Sequence, residues 1–405
     1  MTRKALFIGL PLHGHVNPSL PLVRALVERG EQVVYYATAP FAPAIEQTGA
    51  TFRAYRTERL SDLTPMTERL DALSWFMTEA TRDVLVNDLE GFRAARADYV
   101  ITDSVAPWGQ WAGQILGLPV ITSIPTFAVN RHVFAFAAAS GTRPTSVRRF
   151  ISKLRHVLKA ARLGAQLRRR YKARGTGIVG LMFGSSALNI VHTSRQFQPC
   201  AETFDEGFLF IGPSVESRTE SARFTWADAS GGTLVYVSLG TLFNTDAAFY
   251  RDCLAAFRDD DVRVIVAIGK TVTADSLGAI PPNVTVAPWV PQLDVLRRAS
   301  VFVSHGGMNG VGESLHYGVP LVIVPQMGEQ ELVAAQVQRL GAGVRLPRNR
   351  VTPESLRAAV QRVLNERAFR DRAVAIGDSF KAAGGAGLGA DAILAFTRGS
   401  IEFSV

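Results

Sequence analysis

Cysteine is nearly absent from this chain: Cys200 and Cys253 are the only two in 405 residues, and neither stands in a CxxC or Cys/His spacing. That excludes a disulfide framework and a structural zinc site, and a reducing compartment, the cytoplasm, is expected. Long hydrophobic runs are lacking too. None reaches the roughly 18 apolar residues that a membrane-spanning helix needs. The N-terminal MTRKALFIGLPLHGH starts basic and turns apolar. It ends in His13-Gly14-His15 instead of a small-residue cleavage site, so it reads as a first buried strand and not as a secretion signal. No GxGxxG follows that strand, which argues against a dinucleotide in the first half. No serine or cysteine occupies a nucleophile-elbow context, and no internal repeat is present beyond an α/β rhythm.

What the sequence does have is the composition of a soluble globular protein, 47% hydrophobic and 20% charged. Its length predicts two domains of about 200 residues each. The formal charge of +9 is unevenly spread. Between Arg143 and Arg174 stand twelve Lys and Arg and no acid, leaving 32 bases against 35 acids elsewhere. This stretch is read as a basic helical region interrupted near Gly164. It is either a solvated helix pair or a face attracted to an anionic membrane surface or an anionic acceptor. Nucleic-acid binding is not expected, because no aromatic interleaving or known nucleic-acid fold accompanies the charge.

Apolar β-branched runs alternate with helical periodicity along the whole chain. Strands are expected at residues 4–10, 32–37, 98–102, 119–124, 188–193 and 208–211. Helices are expected from Asn17 to Gly30 and over residues 41–48 and 108–116. Asn17-Pro18 places a capping side chain before a proline of the first turn, a strong helix start. After a polar linker a second series begins at residues 233–239, with strands at 262–268, 284–287, 301–303, 321–324 and 344–346. Residues 384–389 read as a flexible glycine break before a last helix at 391–398. The fold class is α/β, with two Rossmann-like doubly wound domains facing across a cleft.

The second half is organised around residues 301–330, VFVSHGGMNGVGESLHYGVPLVIVPQMGEQ. Strand, glycine turn, helix, glycine stop and strand make a βαβ unit. Its helix opens with outward N–H groups, an anion site to which His305 adds a donor. It reads as a diphosphate cradle. The turn Ser238-Leu239-Gly240-Thr241 is small and hydroxyl-bearing, suited to close approach of a phosphate. Trp289, in PWVPQ, offers an indole face to a nucleobase unless it fills a core. Glu313 suits ribose hydroxyls, and Glu329 with Gln330 suits those of a sugar. In the first half, His15 follows the first strand and Asp103 ends another, and ligands of open α/β sheets bind beyond such strand ends. A histidine paired with a carboxylate is a general-base arrangement, and a nearby positive helix end favours the neutral imidazole. His13 has no acidic partner in view and is assigned a structural role.

Together these residues resemble the inverting, nucleotide-sugar-dependent glycosyltransferases of the macrolide and plant secondary-product type, which have the GT-B fold. The resemblance covers nearly the whole chain. The second-half signature is WxxQ, HxGxNxxxE, GVP and [DE]Q. It stands here as Trp289 to Gln292, His305 to Glu313, Gly318 to Pro320 and Glu329-Gln330, with its spacing intact. GHVNP at residues 14–18 and Asp103 match the family's base and its partner. Three positions depart from the usual pattern: Met308 replaces the Trp and Gly310 the Ser of plant members, and Glu329 replaces the commoner Asp.

The resemblance implies an acceptor-binding domain (residues 1–213), a linker (214–230), a nucleotide-sugar domain (231–385) and a C-terminal helix (386–405) packing back on the first domain. Trp289 is expected to stack on uracil or thymine, Val290 and Gln292 to hold base and ribose, and Glu313 to bind ribose hydroxyls. His305, the amides of Gly307, Met308 and Asn309, and Thr241 would hold the diphosphate, and Glu329 and Gln330 the sugar. His15, oriented by Asp103, would deprotonate an acceptor hydroxyl that attacks the anomeric carbon in line, with inversion. The partners implied are a UDP-sugar, glucose foremost, and a hydrophobic small-molecule acceptor, with a monomer or homodimer as the assembly. No cofactor or metal is expected, since no DxD-like pair follows a strand. Trp75, Phe76, Phe127, Phe134 and Phe136 would line the acceptor pocket or simply pack the domain. Alternative readings are a TDP-deoxysugar transferase of antibiotic biosynthesis, a nucleotide-sugar epimerase and a non-catalytic nucleotide-sugar-binding protein.

Overall fold

In the computed structural model, residues 2–61, 63, 73–140, 147–172, 186–215, 232–240, 245–258 and 261–399 are described, with the backbone alone for 147–153. The chain divides into two compact units, residues 1–134 with 143–214 and 383–405, and residues 135–142 with 215–382.

The first unit carries a parallel sheet of β1 (Lys4–Ile8), β2 (Gln32–Ala37), β3 (Thr51–Ala54), β4 (Tyr99–Asp103), β5 (Val120–Ile124), β6 (Leu188–Val191) and β7 (Phe208–Phe210). Their order is β3-β2-β1-β4-β5-β6-β7. β1 and β4–β6 are apolar almost end to end because both faces of a parallel sheet are covered by helices. β3 was not anticipated: its TFRA sequence is an edge, largely solvent-facing, and lacks the apolar run used to find the others.

In chain order the first helices are α1 (His13–Glu28), α2 (Ala42–Glu46), α3 (Leu73–Asn87), α4 (Leu89–Ala94), α5 (Pro107–Leu116), α6 (Arg131–Ala139) and α7 (Val147–Tyr171). α5 stops where Gly117 turns left-handed, φ 68°. Two expectations are corrected. α1 begins at His13, four residues before Asn17, and no side chain caps it. Its first turn closes instead on Leu12, whose carbonyl accepts the N–H groups of His15 and Val16 at 2.9 Å each. Pro18 and Pro21 therefore lie inside the helix, where both are buried, so packing offsets the ladder bonds they cannot make. α7 runs unbroken through Gly164, which lies on the same buried stripe as Ala160 and Leu167. Packing of that stripe against α3 outweighs a glycine penalty of about 1 kcal/mol.

The second unit has a parallel sheet of β8 (Leu234–Ser238), β9 (Arg263–Ala267), β10 (Val284–Ala287), β11 (Val301–Ser304), β12 (Leu321–Ile323) and β13 (Gly343–Arg345), in the order β10-β9-β8-β11-β12-β13. Its helices are α8 (Ala247–Ala256), α9 (Gln292–Leu296), α10 (Met308–His316), α11 (Gly328–Arg339), α12 (Pro353–Asn365) and α13 (Arg367–Ala382). Valines of β8, β9, β11 and β12 meet Phe249, Leu254, Leu356 and Val360 from α8 and α12 in one core.

The last helix, α14 (Gly385–Thr397), groups with the first unit. It takes up most of the stretch expected to be a flexible break. Gly389 serves close packing instead: a Cβ there would stand 3.0 Å from Leu22 of α1. Arg29 of α1 grips Asp391 with both arms, Nε donating to Oδ1 at 2.6 Å and Nη2 to Oδ2 at 3.2 Å.

Candidate active site

The strand order of the first sheet reverses between β1 and β4, and the carboxyl ends beside such a reversal form a ligand crevice. His15 stands in the first turn of α1, directly after β1, and Asp103 closes β4. His15 Nδ1–H donates to Asp103 Oδ2 at 2.8 Å, and Asp103 Oδ1 accepts the Val105 N–H at 2.7 Å. The carboxylate is buried and the imidazole nearly so. A carboxylate partner keeps the proton on Nδ1 and the lone pair on Nε2. Such a pair can accept a proton from a hydroxyl and hold the imidazolium that forms, with the carboxylate balancing its charge.

His192, directly after β6, also stands at the carboxyl edge of this sheet, a place its position behind an apolar run signals. Its Nε2 lies 2.9 Å from Ser123 Oγ at the end of β5. Burial pushes this imidazole down to about 4, against the opposing pull of the Asp103 charge. His13 is exposed and meets Phe41 edge-on at 4.9 Å.

The second sheet reverses between β8 and β11, whose last residues, Ser238 and Ser304, are paired in register. Each serine hydroxyl accepts the N–H two residues on, from Gly240 at 3.2 Å and from Gly306 at 3.1 Å. Both glycines are left-handed, φ 75° and 88°. The His305 ring is held between two glycines: a Cβ on Gly240 would stand 2.6 Å from its Cε1, and one on Gly307 would stand 2.5 Å from its Nε2. Only a residue without a side chain lets backbone approach a ring this closely. Burial pushes the His305 imidazole down to about 4, partly offset by a hydrogen bond to the Ser238 carbonyl. The ring is thus neutral at physiological pH. It can hydrogen-bond an anion but brings no charge to it, so charge falls to the N–H groups that open α10 behind its N-cap Gly307.

Beside this turn, Gln292 Nε2 donates to Glu313 Oε2 at 2.5 Å, and Gln292 Oε1 accepts from the Tyr236 hydroxyl at 3.0 Å. Tyr236 stacks on Phe302 with centroids 4.6 Å apart, so the carboxylate is positioned by a chain that ends in the sheet. Trp289, just past β10, is 40% exposed, an uncommon state for so large an apolar ring, while the adjacent Val290 is buried. Glu329 and Gln330 fall in the first turn of α11. Glu329 faces solvent, whereas Gln330 is buried and its Oε1 accepts the Gln326 N–H at 2.8 Å. Met308 is buried and Asn309 half-buried at the start of α10. Thr241 lies outside the described residues.

The NDP-glycosyltransferase YjiC of Bacillus subtilis (strain 168) is 37% identical to this chain over 396 residues, 97% of each protein. The chain belongs to the UDP-glycosyltransferase family. An uncharacterized UDP-glucosyltransferase of the same organism, YojK, is 34% identical over 395 residues, 96% of each. Residues 251–384 match the family model for the erythromycin biosynthesis protein CIII-like C-terminal domain. Among solved structures, CalG4, the calicheamicin glycosyltransferase, is 30% identical and superposes with a TM-score of 0.80 over 98% of both chains. The protein is therefore a glycosyltransferase with the two parallel-sheet α/β units of the GT-B fold.

Among the described residues of this glycosyltransferase, no group of three or more His, Cys, Asp and Glu is placed to hold a metal ion. The aromatic residues expected at the acceptor divide. Phe76 and Phe127 are buried, the latter 5.3 Å from Phe197, and so pack the unit. Trp75 and Phe136 are half-buried, and Phe134 is exposed. Near these aromatics in the chain, residues 62, 64–72 and 141–142 lie outside the described residues.

Proposed function

We propose that this glycosyltransferase moves glucose from UDP-glucose to a hydroxyl of a hydrophobic small molecule, with inversion, using His15 as general base and Asp103 as its orienting partner. The observation that carries the reading is the 2.8 Å contact between His15 Nδ1 and a buried carboxylate at the reversal point of the first sheet. In the step proposed, the acceptor O–H proton passes to His15 Nε2 while that oxygen forms a bond to the anomeric carbon. The bond from that carbon to the diphosphate oxygen breaks, and UDP leaves with the electron pair.

In this reading the second unit holds the donor. The α10 amides of Gly307, Met308 and Asn309, with neutral His305 and Thr241, take the diphosphate. Glu313, held by Gln292, takes the ribose hydroxyls, and Glu329 and Gln330 the sugar. Trp289 and Val290 take the base. Glucose and UDP are favoured over a TDP-deoxysugar by the likeness to YojK, an uncharacterized UDP-glucosyltransferase. Cytoplasmic residence is part of the same proposal, supported by two cysteines without a disulfide spacing.

The deciding experiment supplies radiolabelled UDP-glucose with a panel of apolar aglycones, and TDP-sugars in parallel. Labelled β-glucoside is the expected product. Conversion of UDP-glucose without any acceptor would point to an epimerase, and tight UDP binding without any product to a sensor. For the base, Trp289→Ala is expected to weaken UDP about 5–150-fold by calorimetry, the loss of one stacked face. Unchanged affinity would remove Trp289 from the site.

A further inference from the structure

α7 is built to do two things at once. Over its 25 residues it carries nine Lys and Arg and no acid. One stripe, with Ala160, Gly164 and Leu167 buried and Leu163 and Tyr171 partly so, packs on the first unit and is fully accounted for. The opposite face has no such explanation. Leu154 and Leu158, one turn apart, are 49% and 53% exposed. Arg155, Lys159, Arg162 and Arg169 are exposed around them. Lys159 lies over the Trp75 ring of α3 at 5.9 Å, which anchors the cationic rim to the body of the unit. The charge is confined here, since the rest of the chain sets 35 bases against 35 acids.

Cations alone would serve any polyanion. Two exposed leucines inside a cationic rim serve one with an apolar interior. A duplex nucleic acid offers phosphates but admits a leucine only by unstacking its bases, whereas a bilayer offers anionic headgroups over hydrocarbon. We propose that the exposed face of α7 docks the protein onto an anionic lipid surface, with Leu154 and Leu158 entering between headgroups and Arg155, Arg162 and Arg169 pairing with lipid phosphates. This goes beyond the transfer reaction and does not depend on the identity of the sugar or the acceptor. It would hold the enzyme where apolar acceptors partition.

Sedimentation of the full chain with vesicles tests it. Pelleting is expected with equal phosphatidylglycerol and phosphatidylcholine, and not with phosphatidylcholine alone; salt at about 0.5 M should abolish it, where the Debye length is only a few ångströms. Arg155→Gln, Arg162→Gln and Arg169→Gln combined should weaken binding about a hundredfold. Leu154→Ser with Leu158→Ser should weaken it about tenfold at unchanged charge. Circular dichroism of each variant checks that α7 still folds, and the lipid and salt series on the unaltered protein decides independently of the variants. Absence of pelleting on anionic vesicles overturns the proposal. So does indifference to the leucines, or tighter binding to a duplex oligonucleotide than to vesicles.

Discussion

His15→Ala should lower the rate of sugar transfer about 10²–10⁴-fold, the span that a positioned general base contributes, while leaving affinity for UDP unchanged. The argument rests on where the pair sits. Nδ1–H is committed to Asp103 at 2.8 Å, and Asp103 is itself fixed by the Val105 N–H at 2.7 Å. The carboxylate is buried at the end of β4, which holds the pair in place. In the mechanism proposed above, the acceptor hydroxyl gives its proton to Nε2. Alanine removes that acceptor and leaves the second unit, and so the proposed nucleotide site, untouched. Asp103→Asn is the companion test. Its amide presents either an oxygen or an NH₂ to Nδ1, so the tautomer is no longer enforced, and the negative charge that steadies the imidazolium is gone. A fall of about 10²-fold or more is expected, again without effect on UDP binding. Initial rates with saturating donor separate the outcomes. If transfer survives in the alanine variant, His15 is not the base and the mechanism proposed above fails with it.

The parts of this molecule that could be read from the sequence are those in which a local signal and the fold agree. β11, the glycine turn, α10 and β12 are legible because buried parallel strands are continuous apolar runs and the turn is marked by adjacent glycines. Gly117 as a stop and Val284–Ala287 as a strand are legible for the same reason. Misreadings arise where long-range packing overrides a local rule. Asn17-Pro18 has every feature of a helix start, yet the chain is already helical at His13, since the buried face of α1 stabilises it without a cap. Gly164 and the glycines from 384 to 389 look like breaks, but Gly164 lies within the buried stripe of a continuous helix, and at Gly389 the missing side chain lets α14 lie close on α1. β3 escapes notice because an edge strand need not be apolar.

The same division holds within the site. Trp289, Glu313 and His305 are visible as residue types at strand ends. That His305 is held between Gly240 and Gly307 is not visible, because Gly240 is 65 residues away in sequence and meets the ring only when β8 pairs with β11. Neither is the ring's neutrality, which comes from burial alone. A buried neutral ring has a hydrogen bond but no charge to offer an anion.

That neutrality leads to the second large effect: acidification from pH 7 to pH 4 should destabilise both units, through one histidine in each. His192 and His305 are held neutral in the native state down to about 4, in each case chiefly by burial. In the unfolded chain an imidazole titrates near 6.5. Between these values the unfolded state binds protons that the native state refuses, so stability is complete above about 6.5 and is lost as the pH falls toward 4. The loss approaches about 3 kcal/mol for each histidine. His316 adds to it in the same direction, its imidazole lowered by burial and by Lys381, while the buried Asp88 carboxyl, raised by desolvation, opposes it. Denaturant unfolding at pH 7 and at pH 4.5 measures the sum. Because the two histidines lie in different units, His192→Asn should flatten the pH dependence of one transition and His305→Asn that of the other. A midpoint that does not move between the two pH values, or a slope undiminished in the double variant, would show that these imidazoles are not the main acid-sensitive groups. Saturating UDP adds a discriminating control. A dianionic diphosphate beside His305 favours the protonated ring, so UDP should extend the acid tolerance of the second unit and leave that of the first unchanged.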